Sequence, residues 1–224
     1  MSYRLAIFDF DGTLADSLPW FQSIFADIAG EFGLRALDAE ERERLRALQP
    51  REILTRIGVP ATKVPRIARR LRQLKAIEAA RLPLFPGAAD LLRDLASRGV
   101  PCAVVSSDTE VSIRLTLGAE NAALVDRYAC GATLFGKARK LRQVLRHYAM
   151  PASQALYVGD ELRDAEAARA VGMGFAGVSW GYSTPEALSK QRPDRLFTSM
   201  MEIASAFAAD TTVGSGPSAP EPSG

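Results

Sequence analysis

The chain has 224 residues, 28 Lys and Arg against 26 Asp and Glu, a formal net charge of +2, and 47% hydrophobic residues. That length suits one good-sized domain, or one domain carrying a smaller insertion. The near-neutral balance gives no nucleic-acid footprint, and no apolar window approaches the length of a membrane span.

The first predicted element is the strand LAIFDF (5–10), a short apolar run that ends in Asp9, Asp11 and a Gly12-Thr13 turn. So short a run, followed at once by acids, is unlike a secretory signal, and a cytoplasmic protein is expected. Asp16 is expected to cap the helix that follows. Residues 18–83 contain no convincing strand. They read as helices in PWFQSIFADIAGEFG, AEERERLRAL, REILTRIG and KVPRIARRLRQLKAIEAARL. The basic residues of 66–75 are spaced as the solvated face of a helix.

From residue 84 the pattern alternates. A helix over 87–99 precedes the strand PCAVVSS (101–107), and TEVSIRLTLG reads as a helix that Asp108 can cap. A weaker strand, RYACGA (127–132), leads to a helix over 138–149. ALYVGD (155–160), a helix over 161–172 and GFAGVSW (174–180) follow. The runs at 5–10, 101–107 and 155–160 are continuously apolar, as in strands covered on both faces. The fold class is therefore α/β, a doubly wound parallel sheet built from 1–17 and 84–209, with 18–83 as a helical insertion after the first strand. Residues 210–224, rich in Gly, Ser and Pro, are expected to be a disordered tail. Cys102 and Cys130 sit in apolar contexts and read as core residues of a reducing compartment. The lone His147 cannot build a zinc site.

The chemistry lies at the strand ends. Asp9 and Asp11 follow the first strand, Ser106, Ser107 and Asp108 the second, and Asp160 and Asp164 the third. Lys137 stands before a helix. In an open parallel sheet these ends converge on one crevice. Clustered carboxylates repel one another, and a hard divalent cation relieves them; oxygen-only ligands favour Mg²⁺. Gly12, Thr13 and the helix start after Ser106 offer N–H groups and a hydroxyl suited to phosphate oxygens. Four residues apart on a helix, Asp160 and Asp164 would share a face, with Glu161 and Arg163 turned to solvent. Lys140, inside its helix, is the weaker candidate beside Lys137. Such a site holds a dianion next to a metal, as phosphoryl transfer requires.

DFDGTLADS resembles the first motif of the haloacid dehalogenase superfamily in its phosphatase form, VVSSD the second, Lys137 the third, and GDELRD the fourth, of the GDxxxD type. The motifs run in the family's order, and the insertion sits where its helical cap sits. The resemblance, to the phosphoglycolate phosphatase-like branch, covers about residues 4–205. It implies Asp9 as a nucleophile forming an aspartyl-phosphate and Asp11 as the acid/base. Mg²⁺ would be bound by the Asp9 carboxylate, the Asp11 carbonyl and Asp160, with Asp164 as ligand or orienter. Ser106 would bond the phosphoryl group, and Lys137 would keep Asp9 ionised. Gly12, Thr13, Ser107 and Arg51 are the expected substrate contacts. Arg51 lies in LQPREIL (48–54), the candidate specificity loop, near Gln49; Trp20 is a further candidate. Asp108 stands where the family commonly has asparagine.

The expected partner is a small phosphorylated metabolite, with the protein a monomer or homodimer. A phosphomutase of the β-phosphoglucomutase type and a catalytically silent phosphate-binding protein are the alternatives. A phosphonate hydrolase would need a cap lysine, and Lys63 and Lys75 lie in no recognisable context for it. A receiver domain, which takes its acceptor aspartate from a middle strand, has the wrong order.

Overall fold

Leu5–Phe8 (β1), Cys102–Val105 (β2), Arg127–Ala129 (β3), Ala155–Gly159 (β4), Gly174–Val178 (β5) and Arg195–Phe197 (β6) form one sheet in the order β3-β2-β1-β4-β5-β6, every pair parallel. The structure, a computed structural model, describes residues 3–131 and 136–207. Side chains alternate across each strand. Ala6, Phe8, Val104, Leu156 and Val158 pack on one face against Ala88–Ser97 (α5), Glu110–Ala123 (α6) and Met200–Ala204 (α10). Leu5, Ile7, Val105, Ala155 and Tyr157 pack on the other against Lys137–His147 (α7), Leu162–Arg169 (α8) and Pro185–Lys190 (α9). Both faces are covered, which is why the central runs are apolar without a gap. In α5 the buried residues are Ala88, Leu91, Leu92 and Leu95, one stripe at helical spacing.

Between β1 and β2 the chain leaves the sheet. Ala15 pairs antiparallel with Leu84, Asp16 donates its N–H to Pro83 O, and Phe85 donates to Leu14 O. Between these crossings lie Leu18–Phe32 (α1), Ala39–Leu45 (α2), Pro50–Arg56 (α3) and Val64–Glu78 (α4), with no strand among the described residues, then a 3₁₀ turn at Ala79–Arg81. Leu37, Ile57 and Val59 form an apolar cluster of their own, with Phe25, Leu45 and Ile67 packed on it. The helices stop where the sequence offers a device: α1 ends at Gly33 with φ 62°, and α2 opens on an Asp38–Glu41 capping box.

Several expectations are corrected. Asp16 caps nothing: Ser17 holds the N-cap position of α1, and the Asp16 backbone is tied to Pro83 instead. Asp108 is also one residue early, because Thr109 caps α6 by accepting from Ser112 N–H. The strands stop before the acids, so Asp9, Ser106 and Asp160 lie in loops just beyond them. β6, α9 and α10 are short elements that the sequence pattern did not mark. The expected tail, 210–224, and residue 132 of the RYACGA run lie outside the described residues. No helix among the described residues is long and apolar enough to cross a membrane.

Candidate active site

The strand order changes direction at β1, with β2 on one side and β4 on the other. Asp9 leaves β1, Ser106 leaves β2 and Asp160 leaves β4, so all three emerge at the carboxyl edge beside this switch point. Lys137 approaches from the first turn of α7 and Asp164 from the first turn of α8.

Asp9 is 3% exposed. Its Oδ1 accepts from Phe10 N–H at 2.8 Å, and its Oδ2 accepts from Lys137 Nζ. The same ammonium donates to Asp164 Oδ1. Asp164 also accepts from the Tyr157 hydroxyl at 3.1 Å and from Glu161 N–H at 3.0 Å. Asp160, wholly buried, accepts from the Thr13 hydroxyl at 2.7 Å and from Tyr182 N–H at 2.8 Å. One oxygen from each of Asp9, Asp160 and Asp164 falls within a 4.8 Å cluster.

Burial pushes the Asp9 carboxyl up to about 7; Lys137 opposes this and Asp164 adds to it. Asp160 is raised well above the carboxylate range, by burial first and then by Asp9 and Glu161. Lys137 is held above its ordinary value, because Asp164 and Asp9 outweigh its own burial. One ammonium thus meets two of the three buried acids, and the site is left short of positive charge. Three clustered carboxylates with no His or Cys among them fit a hard dication such as Mg²⁺.

Glycine makes the packing possible. Gly12 has φ 77°, and a Cβ there would lie 2.1 Å from Asp160 Oδ2 and 2.6 Å from the Tyr182 ring. A Cβ on Gly181 would lie 2.1 Å from Asp160 Cβ. Asp160 is therefore clasped between two backbones that carry no side chain.

Asp11 faces elsewhere. Its side chain is 23% exposed, and its Oδ1 accepts from the Ser17 hydroxyl at 2.7 Å and from Lys75 Nζ. Ser17 also lies 3.1 Å from the Tyr182 hydroxyl. Lys75 belongs to α4 and also meets Asp108 Oδ2 at 2.7 Å. The reading of 66–75 as a solvated face therefore fails at Lys75, which is buried. Ile67, Leu71, Lys75 and Ala79 are four residues apart, and that stripe grows more buried toward Ala79. A lysine on an apolar stripe was the available signal.

Other candidates are placed as follows. Ser106 is buried, and its hydroxyl oxygen accepts from Asp108 N–H at 3.1 Å; Ser107 is half-buried. Gly12 N–H donates to Ala15 O, and Thr13 N–H to Phe10 O. The Thr13 hydroxyl serves Asp160, so the expected phosphate donors of this turn hold the turn together instead. Asp160 and Asp164 do not share a helix face: Asp160 precedes α8, and Asp164 takes part in its capping box. Arg163 is not solvated; it pairs with Glu161, at 16% and 21% side-chain exposure. Lys140 is half-buried on α7, while Lys137 is the lysine that meets Asp9. Arg51 is exposed in the first turn of α3, and Trp20 is half-buried on α1.

The α2–α3 junction docks on the sheet side. Arg46 donates to Tyr182 O at 2.9 Å and to Gly181 O at 3.1 Å, and Gln49 Nε2 donates to Glu166 at 2.9 Å. Sequence reasoning missed Tyr182, Gly181 and Arg46, which no local motif marks. Cys102 and Cys130 are unpaired, and burial pushes both thiols up to about 12.

Comparison with known proteins adds the following. Residues 6–178 match the family described as haloacid dehalogenase-like hydrolase. A phosphoglycolate phosphatase of Synechococcus elongatus is 34% identical over 198 residues, covering 88% of this chain and 93% of that protein. Among solved structures, a haloacid dehalogenase-like hydrolase of Streptococcus pneumoniae superposes with a TM-score of 0.74 at 22% identity, over 91% of this chain and 97% of that one. CbbY from Rhodobacter sphaeroides, in complex with xylulose-(1,5)bisphosphate, gives 0.67 at 23% identity, over 92% and 100%. The two structural likenesses speak to the fold.

Proposed function

The chain belongs to the haloacid dehalogenase-like hydrolases, in their phosphoglycolate phosphatase-like branch, and is a phosphoric monoester hydrolase; on that footing we propose that it uses Mg²⁺ and a covalent Asp9 phosphate to dephosphorylate a small metabolite such as phosphoglycolate or a sugar phosphate. The observation that carries this reading is the division of labour between two nearby aspartates. Asp9 is buried against Lys137 and two more acids, and Asp11 is turned to Ser17 and the insertion. One suits a nucleophile kept ionised by cations, the other a group that exchanges protons with a leaving oxygen.

In the first step an Asp9 oxygen attacks phosphorus, the bond to the ester oxygen breaks, and Asp11 gives that oxygen its proton. In the second, Asp11 takes a proton from water, the water oxygen bonds to phosphorus, and Asp9 departs as a carboxylate with release of inorganic phosphate. Lys137 holds Asp9 and Asp164 throughout. Asp9, Asp160, Asp164 and the Asp11 carbonyl would hold the metal, which when bound neutralises charge on the transferring phosphoryl group. Ser106 would bond that group, with Ser107 and the Gly12-Thr13 turn beside it and Arg51 at the insertion's edge.

A cytoplasmic location belongs to this reading, in keeping with Cys102 and Cys130 not being joined in a disulfide. The test is phosphate release from a panel of small phosphate esters with and without Mg²⁺. Asp9→Asn should abolish turnover; equal activity in both proteins would sink the mechanism. Conversion of a hexose 1-phosphate to its 6-phosphate without phosphate release would favour a mutase.

A further inference from the structure

Lys75 comes from outside the sheet and is nonetheless, with Lys137, a buried cation among the described residues, 5% exposed. Removing an ammonium from water is expensive unless partners replace the lost hydration. Here the partners are Asp11 Oδ1, Asp108 Oδ2 at 2.7 Å, and the Phe10 ring, whose centroid is 5.3 Å away. Asp108 is itself 3% exposed. Its Oδ1 accepts from Thr109 N–H at 2.7 Å, while its Oδ2 has no hydrogen-bond partner of good geometry and faces the Lys75 ammonium as its ion partner. Asp108 is thus spent on Lys75 rather than on a helix cap. The pair joins the loop after β2 to helix α4, and it sets an ammonium against Asp11.

We propose that Lys75, anchored by Asp108, is a positioning residue for Asp11, so that docking of the insertion fixes the rotation of its carboxyl and which oxygen is turned to the leaving group. Both Lys75 and the Ser17 hydroxyl donate to Oδ1. Oδ1 is thus occupied by an ammonium and a hydroxyl, which leaves Oδ2 as the oxygen for the leaving group. The carboxyl is then held in one rotation, and α4 has to be in place to hold it. This rests on the reading of Asp11 as the acid that protonates the leaving oxygen.

The test uses leaving groups that differ in their need for that proton. An alkoxide leaves poorly without one, whereas nitrophenolate leaves readily. The value of kcat/KM reports the step in which the ester bond breaks. For the full chain with Mg²⁺, kcat/KM is measured on ethyl phosphate, 2-phosphoglycolate and p-nitrophenyl phosphate. Asp11→Asn should lower the alkyl-to-aryl ratio by about a hundredfold or more, the size of a general-acid contribution. Lys75→Met should lower it by about tenfold, equally for both alkyl esters, with Lys75→Arg restoring most of the loss. Asp108→Asn should lower it in the same direction by a few-fold, and this variant carries the test should Lys75→Met fail to fold. A flat ratio in Asp11→Asn would overturn the reading of Asp11, and the inference with it. A normal ratio in Lys75→Met, or in Asp108→Asn where Lys75→Met does not fold, beside a depressed one in Asp11→Asn would overturn the inference alone. A loss confined to 2-phosphoglycolate would also overturn it, because Lys75 would then be contacting the substrate's carboxylate.

Discussion

Asp9 and Asp11 are two residues apart and live in different parts of the molecule. Asp9 sits at the bottom of the crevice among groups supplied by the sheet and its flanking helices: Lys137 from α7, Asp160 after β4 and Asp164 in α8. Asp11 sits where the insertion meets the sheet, beside Ser17 at the exit and Lys75 on α4. The turn just after Asp11, with Gly12 at φ 77°, carries the chain from the sheet toward the insertion. The rigid scaffold fixes the deep group, and a separately packed helical layer supplies the partner of the outer one. Chemistry that must stay constant goes deep, and chemistry that must meet different leaving groups goes to the boundary. Substitutions in the deep half should therefore cost both stability and activity, and those at the boundary mainly selectivity.

The largest effect is expected at Lys137. Lys137→Met removes the one ammonium that serves two carboxylates exposed by only 4% and 0%. An unpaired buried charge costs about 3–5 kcal/mol. Thermal unfolding in EDTA should show that loss, and phosphate release should fall by roughly three orders of magnitude or more. Mg²⁺ should raise the melting temperature of this variant more than that of the wild type, since the ion takes over part of the lost compensation. A variant as stable as the wild type without metal would break the contrast at once.

Next comes Gly12→Ala. The new Cβ would have to displace an Asp160 oxygen at 2.1 Å and adopt φ 77°. Strain of this kind costs about 1–3 kcal/mol before the clash is counted. Urea unfolding should show a loss of at least that size, and the Mg²⁺ concentration for half-maximal activity should rise, because the Asp160 carboxylate is pushed off its Thr13 and Tyr182 donors. Gly33→Ala, with φ 62° but open space around its Cβ, is the control: it should show backbone strain without any change in metal dependence.

Proton linkage separates the two halves more finely. Asp9 titrates near 7 when folded, above the ordinary carboxylate value of about 3.9 in the unfolded chain. The folded state therefore holds more protons than the unfolded one between those values, and metal-free stability falls as pH rises from about 4 toward 7. Mg²⁺ binds the ionised carboxylates, so ionising Asp9 alone should make its affinity climb about tenfold per pH unit below 7. Asp160 is also raised, which steepens the climb. The gain in melting temperature on adding Mg²⁺ should accordingly be larger at pH 8 than at pH 6. A gain independent of pH would mean that the buried acids are not the ligands.

The deep half was readable from the sequence and the boundary was not, for a physical reason. Strand-end residues advertise themselves: a short continuous apolar run bounded by turn residues reads as a covered strand, and an acid at its end then lies at the sheet's carboxyl edge. Asp9, Asp160 and Lys137 were placed together on that ground. Lys75 required knowing what packs on α4. On a helix with five basic residues from Arg66 to Lys75, only its place on the Ile67–Leu71–Ala79 stripe distinguishes it. The caps fall one residue later than Asp16 and Asp108, because a cap is defined by where the helix begins; Asp108 has Lys75 as its partner instead. β6 is three residues long at a sheet edge, too short for alternation to register.

The smallest effect tests the boundary itself. Arg46 reaches from the end of α2 to two carbonyls, Gly181 O and Tyr182 O, in the loop that also clasps Asp160 and approaches Ser17. Arg46→Ala should cost about 1 kcal/mol, since the side chain is partly exposed and water can replace part of what it gives. Gln49→Ala, which removes one exposed hydrogen bond to Glu166, should cost less than about 0.5 kcal/mol. In steady-state assays Arg46→Ala should raise KM a few-fold while leaving the Mg²⁺ requirement in place. A weaker clasp lowers the fraction of molecules with the insertion docked, and apparent affinity falls in proportion to that fraction. Loss of Mg²⁺ response in Arg46→Ala would show that the 181–182 loop transmits docking to Asp160, and the deep and outer aspartates would then be one coupled unit rather than two.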